Sequence, residues 1–220
     1  MKKRDGWYAS RAYPHFDRPI GFAYAKAYVS DPSRVERHSF HPFLSFDIVR
    51  RRFRAGPLGH QVSVKRRPIN VAAHVDGHIF AYYSKILSAR YEALLCADGL
   101  GDCVLAYRSG LGSNIEFAKS AFEEIASRGN TLVIAFDLES FFDTIDHATL
   151  KKNWARLLGL ESLPADHFKI FKAITGYAEV SLKECLHRLG IEQSQRIPNP
   201  ICPPSVFRSL IRNGTPNLVQ

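Results

Sequence analysis

The stretch T-L-V-I-A-F-D-L-E-S-F-F-D-T-I-D-H, residues 131–147, decides the fold that the sequence predicts. Its first six residues are apolar or β-branched, which is typical of a strand buried on both faces. Such a strand would hold Asp137 at the edge of a sheet, with Glu139, Asp143 and Asp146 following it. Carboxylates in this position are the oxygen ligands that Mg²⁺ prefers. For Asp143 and Asp146, a role as a helix cap is expected at least as strongly as a role as a metal ligand.

The segments around this stretch predict an α+β fold, because apolar residues recur at helical spacing in most of them. Asp146 and Gly159 are the expected cap and end of one helix, and Asn114 and Gly129 those of another. The strand expected upstream is interrupted by Pro68. The predicted helices cover 43–54, 77–95, 115–128, 147–158, 164–175 and 204–212, and the predicted strands cover 61–71 and 131–136.

The positive charge of the chain is concentrated in its first third. Residues 1–70 contain 15 Lys and Arg against 5 Asp and Glu, and the remainder contains 15 against 16. A local cationic excess of this size favours an anionic partner, most commonly nucleic acid, although a solubilising arm is the simpler alternative. The densest run is Arg50-Arg51-Arg52-Phe53-Arg54.

Other site classes are disfavoured by the sequence. Its four cysteines form no C-x-x-C pair, so a zinc site is not expected. The N-terminus has charge without an apolar stretch behind it, and no apolar run is long enough to span a bilayer. We therefore expect a cytoplasmic protein that binds no membrane.

Several motifs resemble those of bacterial reverse transcriptases, which are RNA-directed DNA polymerases. The string D-L-E-S-F-F-D-T-I-D-H is similar to their first palm motif, and R-P-I at 67–69 and A-Y-R-S-G at 106–110 are similar to elements of their fingers. The strings A-Y-R-S-G-L-G-S-N-I-E-F-A and L-P-A-D-H-F-K-I-F-K-A-I-T-G-Y resemble the defence-associated lineage, especially its type 2 antiviral group. The resemblance runs from about residue 60 to 190.

The resemblance implies the fingers and first part of the palm of a right-hand polymerase. Residues 1–60 would be a basic extension, 61–130 the fingers, and 131–220 a partial palm with a fingers-type helical insertion. The implied function is RNA-directed DNA synthesis in bacterial antiphage defence. The implied cofactor is Mg²⁺. The implied partners are an RNA template, with a dedicated non-coding RNA as one candidate, a DNA primer or product, and deoxynucleoside triphosphates.

The resemblance also assigns roles to individual residues. Asp137 would be the catalytic metal ligand, joined by the backbone carbonyl of Leu138. Phe142 would lie under the sugar of the incoming nucleotide and exclude a ribose 2′-OH, whereas Phe141 would point into the core. Arg67 and Arg108 would hold substrate phosphates. Nucleic acid would be bound through charge and aromatic stacking, with the charge supplied by Arg50, Arg51, Arg52, Arg54, Lys65 and Arg66.

The sequence departs from the family pattern in one important respect. It contains neither a G-x-P-Q-G element nor an adjacent Asp-Asp pair. We therefore expect a chain truncated before the Asp-Asp hairpin that does not polymerise DNA by itself. Two alternatives remain open: a non-catalytic RNA-binding half-polymerase, and a metal phosphodiesterase using Asp137, Glu139 and Asp143.

Overall fold

The computed structural model describes residues 6–56, 59–108, 110–192 and 197–212, without the side chains of 54–56, 59–61, 211 and 212. Contacts divide the chain into two compact units. The first contains the residues up to Tyr83 and those from Pro164 onward, and the second contains Ser84–Leu163. Both helices and strands are present, which confirms the mixed class predicted from the sequence. The division into extension, fingers and palm stays a prediction.

The first unit is built around a long two-stranded ribbon. Strands β1 (Phe43–Gly56) and β2 (Gly59–Val71) pair antiparallel from Leu44↔Val71 to Gly56↔Gly59. The helix predicted over 43–54 is therefore wrong. Strand β1 contains the β-prone residues Phe46, Ile48, Val49 and Phe53, which suit a strand once a partner strand supplies hydrogen bonds. We refer to β1 and β2 together as the ribbon.

The strand predicted over 61–71 is confirmed, but Pro68 does not interrupt it. Pro68 lies opposite Asp47 within the continuous ladder. The strand order is β2-β1-β3, so β2 is an edge strand among the described residues. A proline without an N–H is tolerated on an edge because one side of the strand needs no donor.

The base of the ribbon is anchored in the main apolar core. Strand β3 (Glu179–Ser181) runs parallel to β1, with Leu44 opposite Val180, and both side chains are buried. Phe16 stacks on Phe207 with 4.0 Å between ring centroids in the same cluster. The buried members of this core are Phe16, Leu44, Val180, Cys185, Leu186, Ile201, Cys202 and Phe207. The ribbon is thus fixed at one end and exposed over residues 46–53 and 62–68.

A cluster of Asp76, His38 and His41 joins the chain segment that enters the ribbon to the segment that leaves it. Oδ1 of Asp76 lies 2.7 Å from His38 Nε2, and its Oδ2 accepts a hydrogen bond from the His41 backbone N–H at 2.8 Å. His38 and His41 precede β1, whereas Asp76 follows β2. Burial opposes ionisation of Asp76, but hydrogen bonds from His38 and His41 lower its pKa. The carboxylate therefore stays charged and joins the two chain segments.

The other helices of the first unit largely follow the predicted pattern. Asp31 caps α2 by accepting from the backbone N–H groups of Ser33 and Arg34, with Pro32 in the first turn. The helices predicted over 164–175 and 204–212 are confirmed within one residue. The helices of this unit are α1 (Phe22–Val29), α2 (Pro32–Glu36), the start of α3 (His74–Ala97), α6 (Ala165–Thr175), α7 (Leu182–Arg188) and α8 (Pro204–Arg212).

The second unit is helical where the sequence provides caps. Helix α4 (Asn114–Arg128) begins with a capping box between Ser113 and Glu116, so the cap lies one residue before the predicted Asn114. Helix α5 (His147–Leu158) begins at the predicted cap, Asp146, whose carboxylate accepts from the Thr149 N–H at 2.7 Å. Gly159, with φ of 74°, ends α5 as predicted.

The strand predicted over 131–136 is wrong. These residues have no regular secondary structure, and Leu132, Ile134 and Phe136 are 83%, 63% and 90% exposed. The described residues of the second unit contain no strand, so this segment has no neighbouring strand with which to form backbone hydrogen bonds. High β-propensity does not form a strand without a neighbouring strand.

Candidate functional site

The ribbon separates its side chains onto two faces. Side chains alternate along each strand, and residues directly opposite in the ladder share a face. Arg50 pairs with Lys65, whereas Arg51 pairs with Val64. The run of arginines in the sequence is therefore divided between opposite sides of the ribbon.

One side carries four of the six described cations in the outer part of the ribbon and no acid. We call Arg50, Arg52, Lys65 and Arg67 the basic face, with Ser63 opposite Arg52 and Ile48 opposite Arg67. All four cations are exposed. Among the described residues none of the four forms an ion pair. The backbone of Arg54 pairs with Gln61 in β2, but its side chain lies outside the described residues.

The other side is mostly apolar. We call Val49, Arg51, Phe53, Val62, Val64 and Arg66 the mixed face. Phe53 is 69% exposed and the valines are 48–55% exposed. Arg66 lies 3.7 Å from the Asp47 carboxylate, which offsets part of its charge. Of the six predicted nucleic-acid-binding residues, Arg51 and Arg66 thus lie apart from Arg50, Arg52 and Lys65.

Most aromatic rings of the first third pack inside the protein. Trp7 and Phe16 are 4% and 3% exposed. Tyr8 stacks on His78, and Tyr13 stacks on His74, each with 4.8 Å between ring centroids. The large aromatic side chains of this region that are exposed in the described residues are Tyr24 at 58%, Phe53 at 69% and, at the lower limit, Phe46 at 36%. The predicted stacking of bases on many aromatics therefore has few rings available for it.

Asp137 belongs to an exposed loop in the second unit. It lines an open depression of about 620 Å³ together with Phe136, Leu138, Ser140, Phe141, Phe142 and Asp143. Its side chain is exposed at this depression. The prediction that it ends a central strand is wrong. Within the described part of the chain Asp137 has no ion-pair partner, so it is accessible to a cation.

A turn centred on Ser140 shapes this loop. Ser140 has φ of 51°, a left-handed conformation that non-glycine residues adopt at a cost. Its carbonyl accepts hydrogen bonds from the backbone N–H groups of Asp143 and Thr144, at 2.9 and 3.1 Å. The turn brings Asp143 and the two phenylalanines around the same depression as Asp137. Sequence inspection missed this role, because a serine gives no local signal for a positive φ.

The two phenylalanines have the same surroundings. Phe142 faces the depression with Asp137, as predicted, and is 70% exposed. Phe141 is 49% exposed and lines the same depression, so the prediction that it points into the core is wrong. The two rings pack edge to face, with 5.3 Å between their centroids. Without a packed strand before it, the loop has no core into which Phe141 could point.

The acids of this loop do not fit a preformed metal centre. Among the described residues no three His, Cys, Asp or Glu side chains are placed to share an ion. Two ions held together require carboxylates from more than one segment. Asp137, Leu138 and Asp143 line the same depression. Their assignment as metal ligands stays a prediction.

Arg108 is occupied by contacts within the second unit. Its Nε and Nη2 donate to Glu92 Oε2 at 3.0 and 2.8 Å, and its Nη1 donates to the carbonyls of Gly101 and Val104. The hydrogen bonds to Glu92 raise its pKa. In this arrangement Arg108 fastens the 101–108 loop to α3. Its predicted phosphate contact would require these hydrogen bonds to break.

A second Asp–His cluster was not foreseen from the sequence. Asp17 Oδ1 lies 2.7 Å from His74 Nδ1 and 3.1 Å from His15 Nδ1. Burial opposes ionisation of Asp17, but the nearby imidazole of His15 and the hydrogen bond with His74 lower its pKa. The residues lie far apart in the sequence, so no local motif reveals the cluster. It joins the N-terminal segment to the start of α3.

Comparisons with known proteins do not place the chain in a family. Within the described part of the chain, none of the helices combines the length and apolar character that crossing a bilayer requires. A scan against protein-family models finds no match, and a search of curated proteins finds no significantly similar sequence.

Proposed function

We propose that the chain is the fingers and first part of the palm of an RNA-directed DNA polymerase and that its ribbon binds nucleic acid. The observation that carries the proposal is the exposed basic face of the ribbon. Arg67, which opens the R-P-I motif, lies on that face with Arg50 and Lys65. The motif of the resemblance thus coincides with the surface most suited to phosphate.

The geometry favours nucleic acid over a purely solubilising role. Solubilising charges are usually mixed in sign and spread over a surface. The basic face instead places four cations on one side of a hydrogen-bonded element, with no acid among their ladder partners. Such a row attracts a polyanion, because each neutralised phosphate releases counterions.

The loop around Asp137 supplies the catalytic part of the proposal. Asp137 and the Leu138 carbonyl are the proposed Mg²⁺ ligands of this chain. When bound, Mg²⁺ would neutralise charge on the phosphates of the incoming nucleotide. The ring of Phe142 shares the depression with Asp137, where it can contact a sugar and oppose a 2′-OH. Arg67 and Arg108 are the proposed phosphate ligands.

A non-catalytic RNA-binding half-polymerase is the second candidate. One observation favours it: the described acids form no cluster that holds a metal ion, whereas the four cations of the basic face are exposed. Under this alternative the chain binds RNA through the ribbon and has no specific affinity for nucleotides. The metal phosphodiesterase has no comparable support from the geometry.

Nucleotide binding by the 220-residue chain separates the two candidates. We expect calorimetry to detect Mg²⁺-dependent binding of dCTP that is lost in Asp137→Asn. Phe142→Ala should raise the relative affinity for CTP by about tenfold, because the ring that excludes the 2′-OH is removed. Phe141→Ala is the matched control, since it removes a neighbouring ring from the same depression.

Each result points to a different function. RNA binding without Mg²⁺-dependent dCTP binding would support the half-polymerase. Equal effects of Phe141→Ala and Phe142→Ala on sugar preference would remove the assigned role of Phe142. Release of mononucleotides from RNA, abolished by Asp137→Asn, would instead support the phosphodiesterase.

A further inference from the structure

We infer that the ribbon binds the phosphate backbone of a nucleic-acid duplex through its basic face alone. The inference rests on the proposed nucleic-acid function and deepens it, because it names the surface and the form of nucleic acid. The sequence alone places Arg50, Arg51, Arg52, Lys65 and Arg66 in one group of nucleic-acid-binding cations, without separating them by direction. The ladder separates them into two surfaces with different chemistry.

The basic face has the dimensions of a phosphate-binding stripe. From Arg52 to Ile48, which lies opposite Arg67, the strand advances four residues, or about 14 Å. The paired strands lie about 4.8 Å apart, so Arg50 and Lys65 form a cation pair across the stripe, with Arg52 and Arg67 as single cations on either side of it. Backbone pairing fixes the spacing of these side chains before any ligand arrives. A pre-ordered row therefore loses less conformational entropy on binding than cations on a flexible arm.

The mixed face is poorly suited to the same ligand. Arg51 is surrounded by Val49, Phe53 and Val64, and the charge of Arg66 is partly offset by Asp47 at 3.7 Å. A polyanion laid on this face would desolvate phosphates against apolar side chains. Burial of charge without a partner is unfavourable. Phosphate binding is therefore expected on the opposite face.

The absence of stacking rings favours a duplex over a single strand. Proteins that bind single strands combine charge with aromatic side chains on which unpaired bases stack. None of the four positions of the basic face is aromatic, and Phe46, at the anchored end of the ribbon, is only 36% exposed. A duplex hides its bases and presents one phosphate charge per roughly 1.7 Å of axis, against about 3.4 Å for one strand. Cations without rings match that surface.

Two double variants with equal loss of charge test the assignment. Arg50→Gln with Lys65→Gln removes a cross-strand pair from the basic face, and Arg51→Gln with Arg66→Gln removes two cations from the mixed face. Binding of the 220-residue chain to an RNA duplex of about 20 base pairs is measured by fluorescence anisotropy. Salt is varied from about 50 to about 200 mM. A single strand of the same sequence is the comparison ligand.

We expect the basic-face variant to bind the duplex roughly tenfold more weakly and to lower the salt slope by about two. The mixed-face variant should change affinity by less than about threefold, since its cations act only at a distance. Tighter binding of the duplex than of the single strand completes the expected result. Circular dichroism checks that both variants keep their fold, which exposed substitutions should not disturb.

Three results overturn the inference. Equal losses from the two variants would show general attraction rather than a single binding face. Tighter binding of the single strand, together with a loss of affinity in Phe53→Ala, would assign binding to stacking on the mixed face. Failure of the unmodified chain to bind either RNA at about 50 mM salt would overturn the inference and the nucleic-acid part of the proposed function together.

Discussion

The ribbon and the segment 131–136 show opposite relations between sequence and structure. Strand β1 contains four arginines and an aspartate, yet it is a continuous 14-residue strand. The segment T-L-V-I-A-F has a much stronger β-propensity and is irregular. The difference is pairing: β1 has β2 along one side and β3 at its base, whereas 131–136 has no strand beside it among the described residues. Propensity describes how well a residue suits a sheet, and the sheet must be supplied by other parts of the chain.

The two regions also differ in how they are anchored. Leu44 at the base of β1 is completely buried in the main core. Ile134 in the irregular segment is 63% exposed. Hydrophobic stabilisation requires removal of apolar surface from water. The stronger apolar sequence therefore contributes less to the stability of this chain.

The largest expected effect comes from shortening the buried anchor. Leu44→Ala should lower the free energy of unfolding by about 2–5 kcal/mol, because it removes buried methyl groups and leaves a cavity between β2 and β3. Ile134→Ala, a substitution of similar size, should change it by no more than about 0.5 kcal/mol. Urea denaturation followed by circular dichroism measures both. A loss above about 2 kcal/mol in Ile134→Ala would show that 131–136 is packed in solution.

The helices were the most predictable part of the fold, because their signals are local. Asp146 and Gly159 limit α5 as predicted, and Gly129 follows α4. Caps and apolar spacing act within a few residues, so a single sequence contains them. The strands depend on distant partners. The segment 43–54 was wrongly predicted as a helix because its pairing with 61–71 cannot be read from either segment alone.

The sequence predicted which residues belong to the candidate sites, but it did not predict how those residues are arranged. The motif identified Asp137 and Phe142, and the structure places both at one depression. It did not identify Ser140, whose positive φ forms the turn. The charge run identified the basic region, but only the register shows that Arg51 and Arg66 face away from Arg50 and Lys65. Residue type is local information, whereas the direction of a side chain follows from pairing.

The next effect concerns the well-packed region around the start of α3. His78 is 1% exposed and stacks on Tyr8. Burial and the nearby charge of Arg11 lower its pKa from 6.5 to about 4. Between these values the unfolded state binds more protons than the folded state, so stability should fall as pH decreases from 6.5 towards 4. We expect His78→Phe to remove on the order of 1–2 kcal/mol of that decrease.

Measurement of unfolding free energy at several pH values between 4 and 7 checks this expectation. Burial also lowers the pKa of His167, so His167 adds to the loss of stability below pH 6.5 in both the unmodified chain and the variant. Asp17 and Asp76 have lowered pKa values, so their contributions are lost only as pH falls below their ordinary value of 3.8. His41 has a raised pKa, so its contribution is lost as pH rises above 6.5. His187→Phe is the control, because His187 is exposed. An unchanged pH dependence in His78→Phe would contradict the assignment.

The smallest expected effect lies where the irregular region meets regular structure. Asp146 separates the Asp137 loop from α5, and its carboxylate accepts from the Thr149 N–H at 2.7 Å. That hydrogen bond lowers the pKa of Asp146. Asp146→Ala should lower the stability slightly and fray the first turn of α5, because an N–H that the helix leaves unpaired loses its acceptor. Asp143→Ala is the matched control, since it removes a nearby acid that forms no cap. Thermal denaturation gives the stability of both variants, and hydrogen exchange at Thr149 reports the first turn directly.

Faster exchange in Asp146→Ala alone would show that Asp146 is a helix cap, with Asp137 and Asp143 left to act as the acids of the loop. Equal stability and equal exchange in the two variants would show that α5 begins without this cap, and Asp146 would then rejoin the candidate metal ligands.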